Sequence, residues 1–600
     1  MRKIWNIFNY LVISFILTYL LVLLFTIPID RVDTVPISLF YLFTIPFYYF
    51  VALLIIFVLL LPLSLHYYLR YIYLLIKSIF DFWLIVDFLV FRNYKFHIDS
   101  LFLDMLFHDI GGLGISSFAY LISMAIFIFL LSVNLYLFHI SQKLKSRYSL
   151  WVIVGVGLLI VNQTVHIWGS YFHQEYITKY TPYFPIYLPA TAVSSVEQIS
   201  QKYPYIKPKH IGESSNRLDV PKNTGLFHYP QNPLEISTST PKPNIIIIVL
   251  ESWQATTLKP SIMPNIYKFA QSNSNYLQHY STGSVTTTGL FGLMYGLYPT
   301  HNLKAVISDP LKYQTLLTKT VDKIGYTIGA YTSSNLHRFS FKDMFFGSSS
   351  ESNIHILTEH KPYINDSKVV DILLNDITTD KKPWFKFLFL TSSHHSYSYP
   401  KSFEKFTPIS TNTESYLLDN SIDATPLYNR YKNSLLYEDN LVSKVLDKLK
   451  DKLDNTIVII TGDHAEEFNE NREGQWGHGS NFTKYQTQVP LVVHLPHKQS
   501  SIINSRTSHI DIVPTILNNI GITNRVSDYS DGYDLNNIQS QKRDIIMASY
   551  KDKAYLINDS ILSVGLFVQR YTLDSYNSKN ISIDRSRLRT LQQKEMSFFY

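Results

Sequence analysis

The chain has 600 residues, a formal net charge of +7 at pH 7, 16% charged and 46% hydrophobic residues, and no cysteine. The missing cysteine excludes disulfides, thiolate catalysis and thiolate-bound metals, and the absence of arginine-rich or RNP-like segments argues against nucleic acid as a partner. The length exceeds that of one ordinary domain, and the deficit of charge sits in the first 170 residues.

Five apolar stretches are long enough to cross a hydrocarbon core as helices: 8–28, 39–65, 71–91, 111–138 and 150–171. Pro28 and the Gly111-Gly112 pair fall near span ends, where they are tolerated. Met-Arg-Lys precedes the first stretch, which is long for a signal-peptide core and lacks an A-x-A-like site, so it reads as a retained helix. With the N-terminus inside, the inner loops hold Arg2, Lys3, Arg70, Lys143, Lys145 and Arg147. The outer loops hold Arg31, Arg92 and Lys95, diluted by Asp30, Asp33, Asp99, Asp104 and Asp109. This bias predicts an inside N-terminus, and an odd number of spans then places everything after residue 171 outside. The third stretch carries Lys77, Asp81 and Asp87. Lys77 and Asp81 share one helix face four residues apart, which favours an internal pair over an ion path. No inverted repeat points to a transporter.

Residues 172–243 are rich in Pro, Tyr and Ser and show no long apolar period, as expected of a connector along the membrane face. Its tyrosines suit either a headgroup-level belt or packing on the next domain. That domain, 244–600, opens with NIIIIVL, an unbroken apolar run expected of a strand buried on both faces of a parallel sheet. NTIVIITGDH repeats the pattern, and strands such as FKFLFLTSS alternate with helical stretches. The fold class is therefore an N-terminal membrane domain of about five helices followed by an α/β domain with a mainly parallel sheet. Ligands of such sheets collect at the carboxyl ends of the strands.

Chemistry-bearing residues stand at those ends. Glu251 follows the first run, Asp463 and His464 follow the second, His478 lies in WGHGSNF, and Thr286, Thr287 and Thr288 begin a helix. Each has an ordinary alternative: a helix cap, a turn, or an N-cap hydroxyl. Together they fit a site for one divalent ion such as Mn, Zn or Mg, because two carboxylates and an imidazole supply the right O and N donors. A metal would activate a threonine hydroxyl, a helix N-terminus would favour phosphate, and His478 with His394 or His395 would bind phosphate or protonate a leaving oxygen. Glu466 and Glu467 are expected to start a solvated helix, NSLLYEDNLVSKVLDKL to be core, and the segment from Lys551 to supply closing edge strands.

The order strand-ES, TTTGLFGLMYGLYP, TSSHHSYSYP, GDHAEEF, WGH, VPLVVHLP and SHIDIVPTIL resembles the sulfatase-like branch of the alkaline phosphatase superfamily. With multiple spans ahead of it, the chain resembles the lipoteichoic acid synthases and phosphoethanolamine transferases. VHIWGSYFHQEYITKYTPYFPIYLPATA and FGLMYG make it similar to the YejM (PbgA) inner-membrane family of Gram-negative bacteria. The resemblance implies metal ligands Glu251, Asp463 and His464, with Thr286 as nucleophile and fourth ligand, and Thr287 or Thr288 as alternatives. It implies substrate-pocket roles for His478 and for one of His394 and His395. It further implies a multi-pass inner-membrane protein with its C-terminal domain in the periplasm, transferring or hydrolysing phospho-headgroups of envelope lipids. The other implied role is a non-catalytic or weakly catalytic, lipid-binding regulator of lipopolysaccharide synthesis and outer-membrane integrity. Implied partners are membrane phospholipid, lipopolysaccharide or lipid A, and a membrane protein. Three departures matter. No C/S-x-P/A-x-R frame exists, which argues against sulfate-ester hydrolysis. GDH is retained, which favours metal binding, and ATAVSS at 190–195 lacks paired arginines, which weighs against lipopolysaccharide sensing there.

Overall fold

The computed structural model describes residues 2–29, 32, 34–60, 70–94, 96–100, 102–103, 106, 117–143, 148–172, 174–191, 199, 226–237, 242–347, 353–411, 418, 420–538, 543–578 and 580–600. The loop residues Asp30, Arg31, Asp33, Lys95, Asp104, Asp109, Lys145 and Arg147, and most of 190–195, lie outside that set. The chain divides into two compact units, Met1–Asp219 and Val220–Tyr600.

The first unit is helical: α1 Arg2–Leu23, α2 Pro36–Thr44, α3 Pro46–Leu59, α4 Arg70–Tyr94, α5 Ser117–Ser141 and α6 Tyr148–Tyr171. Among the described residues four stretches are long and apolar enough to cross a membrane: Phe8–Thr26, Pro36–Leu59, Ala119–Ser141 and Leu150–Tyr171. The expected span at 71–91 is helical within α4, yet its charges remove it from that apolar set. Lys77, Asp81 and Asp87 are all fully buried. Lys77 Nζ donates to both Asp81 oxygens, at 2.7 and 2.6 Å, so the pair expected from i,i+4 spacing is formed. Thr18 on α1 and Asn134 on α5 donate to the same carboxylate, tying three helices to one acid. Outward apolar side chains such as Ile16, Phe129, Ile153 and Ile160 are more than half exposed, as lipid-facing positions are.

The segment expected as a connector is divided between the two units. Ser38 Oγ donates to Tyr176 O (2.8 Å), Tyr49 OH to Pro185 O (2.5 Å), and Tyr187 OH to Asn162 Oδ1 (2.6 Å), so its first part packs on the helices. Its last described part joins the second unit. His228 N donates to Phe598 O (2.8 Å), and Ile236 bridges to Ile522.

The second unit is built on an eight-stranded sheet: β1 Asn244–Leu250, β2 Ser274–Tyr276, β3 Thr327–Thr332, β4 Ile354–Ile356, β5 Trp384–Leu390, β6 Thr456–Gly462, β7 Leu491–His494 and β8 Ser501–Ile503. The spatial order is β8-β2-β7-β6-β1-β5-β3-β4. β7 pairs antiparallel with both neighbours and the remaining pairings are parallel, so the sheet is mixed. Alternate residues of β1 feed opposite cores. Ile245, Ile247 and Val249 meet helices α7 Thr286–Tyr295 and α10 Ile512–Asn519; Ile246, Ile248 and Leu250 meet α8 Pro362–Thr379 and α9 Thr425–Leu449. Two buried faces explain the run of isoleucines without alternation.

The closing segment forms more than edge strands. Ile545–Ala548, Lys553–Ile557, Ser560–Val564 and Val568–Thr572 make a separate antiparallel meander, followed by helix Arg585–Lys594. Its first strand reaches the central sheet's helices, since Ala548 O accepts from Thr288 Oγ1 at 2.8 Å.

Candidate metal centre

β1 and β6 lie side by side in parallel with Leu250 opposite Gly462, so the residues after them, Glu251 and Asp463, emerge together. Glu251, Asp463 and His464 are buried, and one ligand atom from each lies within 4.8 Å of the others. His464 Nε2 stands 3.2 Å from Glu251 Oε1 and 3.3 Å from Asp463 Oδ2. His464 Nδ1 faces the Ala465 carbonyl at 3.0 Å; donating there leaves Nε2 as the lone-pair nitrogen turned to the carboxylates. Asp463 Oδ1 accepts from the Ser252 and His464 amides at 2.9 and 2.8 Å. Its Oδ2 is buried without a partner. Burial, then the adjacent Asp463, push the Glu251 carboxyl well above the usual range, with His394 and His478 pulling the other way.

Electron-rich atoms so close, one of them an orphan, repel one another unless a proton or cation joins them. The donor set of two carboxylates and one imidazole fits a divalent ion.

Helix α7 brings its first residue to this group. Thr286 Oγ1 donates to Glu251 Oε1 at 3.0 Å and lies 3.3 Å from His464 Nε2. Thr288 instead donates to the Val285 and Ala548 carbonyls. The helix is pressed against the second loop. Ser281 Oγ donates to Asp463 O at 2.6 Å, and a Cβ on Gly289 would sit 2.1 Å from the same oxygen. Behind it, buried His509 presents Nδ1 to Gly289 O at 3.1 Å.

Three histidine rings line up from the acids outward. His464 and His478 have ring centroids 4.3 Å apart, and His478 and His394 5.6 Å apart. His395 instead packs against Tyr397, with ring centroids 5.3 Å apart. Of the two neighbours left open by the sequence, His394 is the one beside His478.

Glu466 and Glu467 do not start a solvated helix. Both are buried, and the chain there is extended, with Glu467–Phe468 paired to Trp476–Gly477. Glu466 Oε2 holds His478 Nδ1 at 2.7 Å, and Glu466 Oε1 accepts from Tyr397 OH at 2.5 Å. Burial raises the Glu466 carboxyl, but His478 and Tyr397 outweigh it and hold it at about 2. An acid after a GDH turn looks the same in sequence whether buried or solvated, so no local signal marked Glu466.

Residues 243–522 match the Sulfatase family, and residues 3–236 match a family described as a domain of unknown function, DUF3413. The inner membrane protein YejM of Salmonella typhimurium is 23% identical over 63% of this chain and 58% of its own length. Lipoteichoic acid synthase 1 of Bacillus subtilis is 23% identical over 64% of this chain and 62% of its own. The chain thus covers less than two thirds of these curated relatives. Among solved structures, the lipooligosaccharide phosphoethanolamine transferase A of Neisseria meningitidis shares the fold, with a TM-score of 0.52, 14% identity, and coverage of 88% of this chain and 97% of that one.

Proposed function

From a chain that is a YejM-like member of the sulfatase superfamily, we propose a metal-dependent transferase or phosphodiester hydrolase that takes phospho-headgroups from envelope lipids on the periplasmic face of the inner membrane. The observation that carries this reading is the meeting of Thr286 Oγ1 with Glu251 and His464 beside the unpartnered Asp463 Oδ2. Glu251, Asp463, His464 and Thr286 would hold one divalent ion, of the Mn, Zn or Mg type. When bound, the ion would offset negative charge on phosphate and on the threonine oxygen.

The remaining steps belong to the chain's own groups. Thr286 Oγ1 attacks phosphorus while its proton passes to Glu251, the acceptor it already faces. The bond from phosphorus to the leaving alcohol breaks, leaving the phosphate with its retained headgroup esterified to Thr286, and His478 protonates that alcohol. Glu466 keeps His478 Nδ1 engaged, so Nε2 is the working nitrogen. His394, beside His478, binds the phosphate oxygens. A second alcohol or water, giving its proton to His478, then attacks phosphorus, and Thr286 leaves and recovers its proton from Glu251. The helix N-terminus at Thr286 favours the anion throughout.

Intact-protein and peptide mass spectrometry after incubation with phospholipid or a chromogenic phosphodiester tests this. An adduct on Thr286 with the mass of phosphate plus the retained alcohol of the substrate, dependent on added divalent ion, is the expected result. Full rescue of a deletion strain by Asp463→Asn with His464→Ala would overturn a catalytic role and leave the lipid-binding regulator in its place.

A further inference from the structure

The three main-chain amides that follow β5 are taken up by two carboxylates reaching in from different helices. Asp366, on α8, accepts from Thr391 N at 3.1 Å through Oδ1 and from Ser392 N at 2.8 Å through Oδ2. Glu438, on α9, accepts from Ser393 N at 3.0 Å through Oε1. Ser393 Oγ lies 3.1 Å from the same Glu438 oxygen and 2.5 Å from the main-chain oxygen of Glu251, within donating distance of both. Both acids are completely buried, and Glu438 Oε2 has no hydrogen-bond partner. The next residue is His394, whose amide closes a turn onto Thr391 O at 3.1 Å and whose ring stands beside His478.

A buried carboxylate is a costly way to satisfy an amide, since a hydroxyl or amide side chain would serve with less desolvation. Its compensation here is geometric: one carboxylate oxygen, through a single serine, touches the backbone of the acid Glu251 and fixes the start of the turn that carries His394. Helix α9 is core along most of its length, as its apolar stripe predicts, yet at Glu438 it reaches the site's supports.

We propose that Glu438, acting through Ser393, is a positioning residue that sets the Glu251 carboxylate and the His394 ring relative to each other. The inference rests on the metal-dependent reading of the site. Mn²⁺ affinity of the full-length, detergent-purified protein is measured by electron paramagnetic resonance, alongside kcat and KM for a phosphodiester. Glu438→Met is expected to weaken Mn²⁺ binding about ten- to a hundredfold and to raise KM. Glu438→Gln, which keeps an acceptor oxygen for Ser393, should recover most of both. Wild-type affinity in Glu438→Met, or an equal loss in Glu438→Gln, would overturn the proposal. Should Glu438→Met fail to fold, Ser393→Ala removes only the hydroxyl link and should cost about tenfold in Mn²⁺ affinity; no loss there overturns it equally. Failure of the wild-type protein to bind Mn²⁺ would instead overturn the metal reading. Positioning is then read in the crystal structure of Glu438→Met, where a displaced 391–394 turn supports it and an unmoved turn sinks it.

Discussion

Two regions of this molecule bury charge and do opposite things with it. In the helical unit, Asp81 receives Lys77, Thr18 and Asn134, so the acid is matched by a cation and its oxygens are satisfied. In the α/β unit, Glu251 and Asp463 converge with a lone-pair nitrogen and no cationic side chain bonds to either carboxylate among the described residues, and one oxygen has no partner. A completed pair of this kind fastens helices together. An acid-rich group missing its positive member is a place for something to bind. Burial alone therefore does not separate scaffold from site; the balance of donors and acceptors does.

That contrast is open to attack from both sides. The largest expected effect is on the incomplete cluster. Thr286→Ala should lower turnover by on the order of 10⁴-fold or more, while Mn²⁺ still binds, more weakly, through Glu251, Asp463 and His464, as read by single-turnover kinetics and metal analysis; ordinary turnover without the hydroxyl would remove its assigned role. At the completed pair, Asp81→Ala leaves buried Lys77 without its counter-ion and should cost about 3–5 kcal/mol of stability, whereas Lys77→Met with Asp81→Leu leaves no uncompensated charge, only the Thr18 and Asn134 donors without their acceptor, and should cost less. Thermal unfolding in detergent distinguishes them, and equal loss in both would contradict the idea that the uncompensated charge sets the loss.

A smaller effect comes from the seam between nucleophile helix and acid loop. Gly289→Ala places a Cβ 2.1 Å from Asp463 O. The overpacking should cost about 1–3 kcal/mol and weaken metal binding with it, which calorimetric titration of the variant would reveal. The smallest concerns Glu467, whose burial pushes its carboxyl up from 4.5 to about 8. A raised folded value means the neutral acid favours the folded state, so its stabilising share is complete below about pH 4.5 and drains away as pH rises through about 8. Glu467→Gln keeps an acceptor for Asn481 and Gln486 but cannot ionise. It should melt higher than wild type at pH 8.5, by about 2 °C, and show no advantage at pH 5; the reverse order would mean the acid is charged in the fold.

Much of this arrangement is legible in the chain's local patterns. Runs such as NIIIIVL and TIVIITG announce buried parallel strands, and the residues just beyond them must appear at the sheet's carboxyl edge, which is how Glu251, Asp463 and His464 come to be neighbours. The spacing of Lys77 and Asp81 likewise determines their pairing, because four residues bring side chains together on any helix. Tertiary structure alone decided the rest. Whether Thr286 or Thr288 meets the acids depends on how α7 docks against Asp463 and Ala548. Whether His394 or His395 stands beside His478 depends on a turn pinned by Asp366 and Glu438 from two distant helices. Glu466 was expected in solvent, and only the approach of His478 and Tyr397 makes it an internal acid. Strand and helix periods are properties of the backbone repeat and can be read from neighbours in sequence. The direction of a side chain beyond a turn, and the partners that make a buried charge whole, come from segments hundreds of residues away.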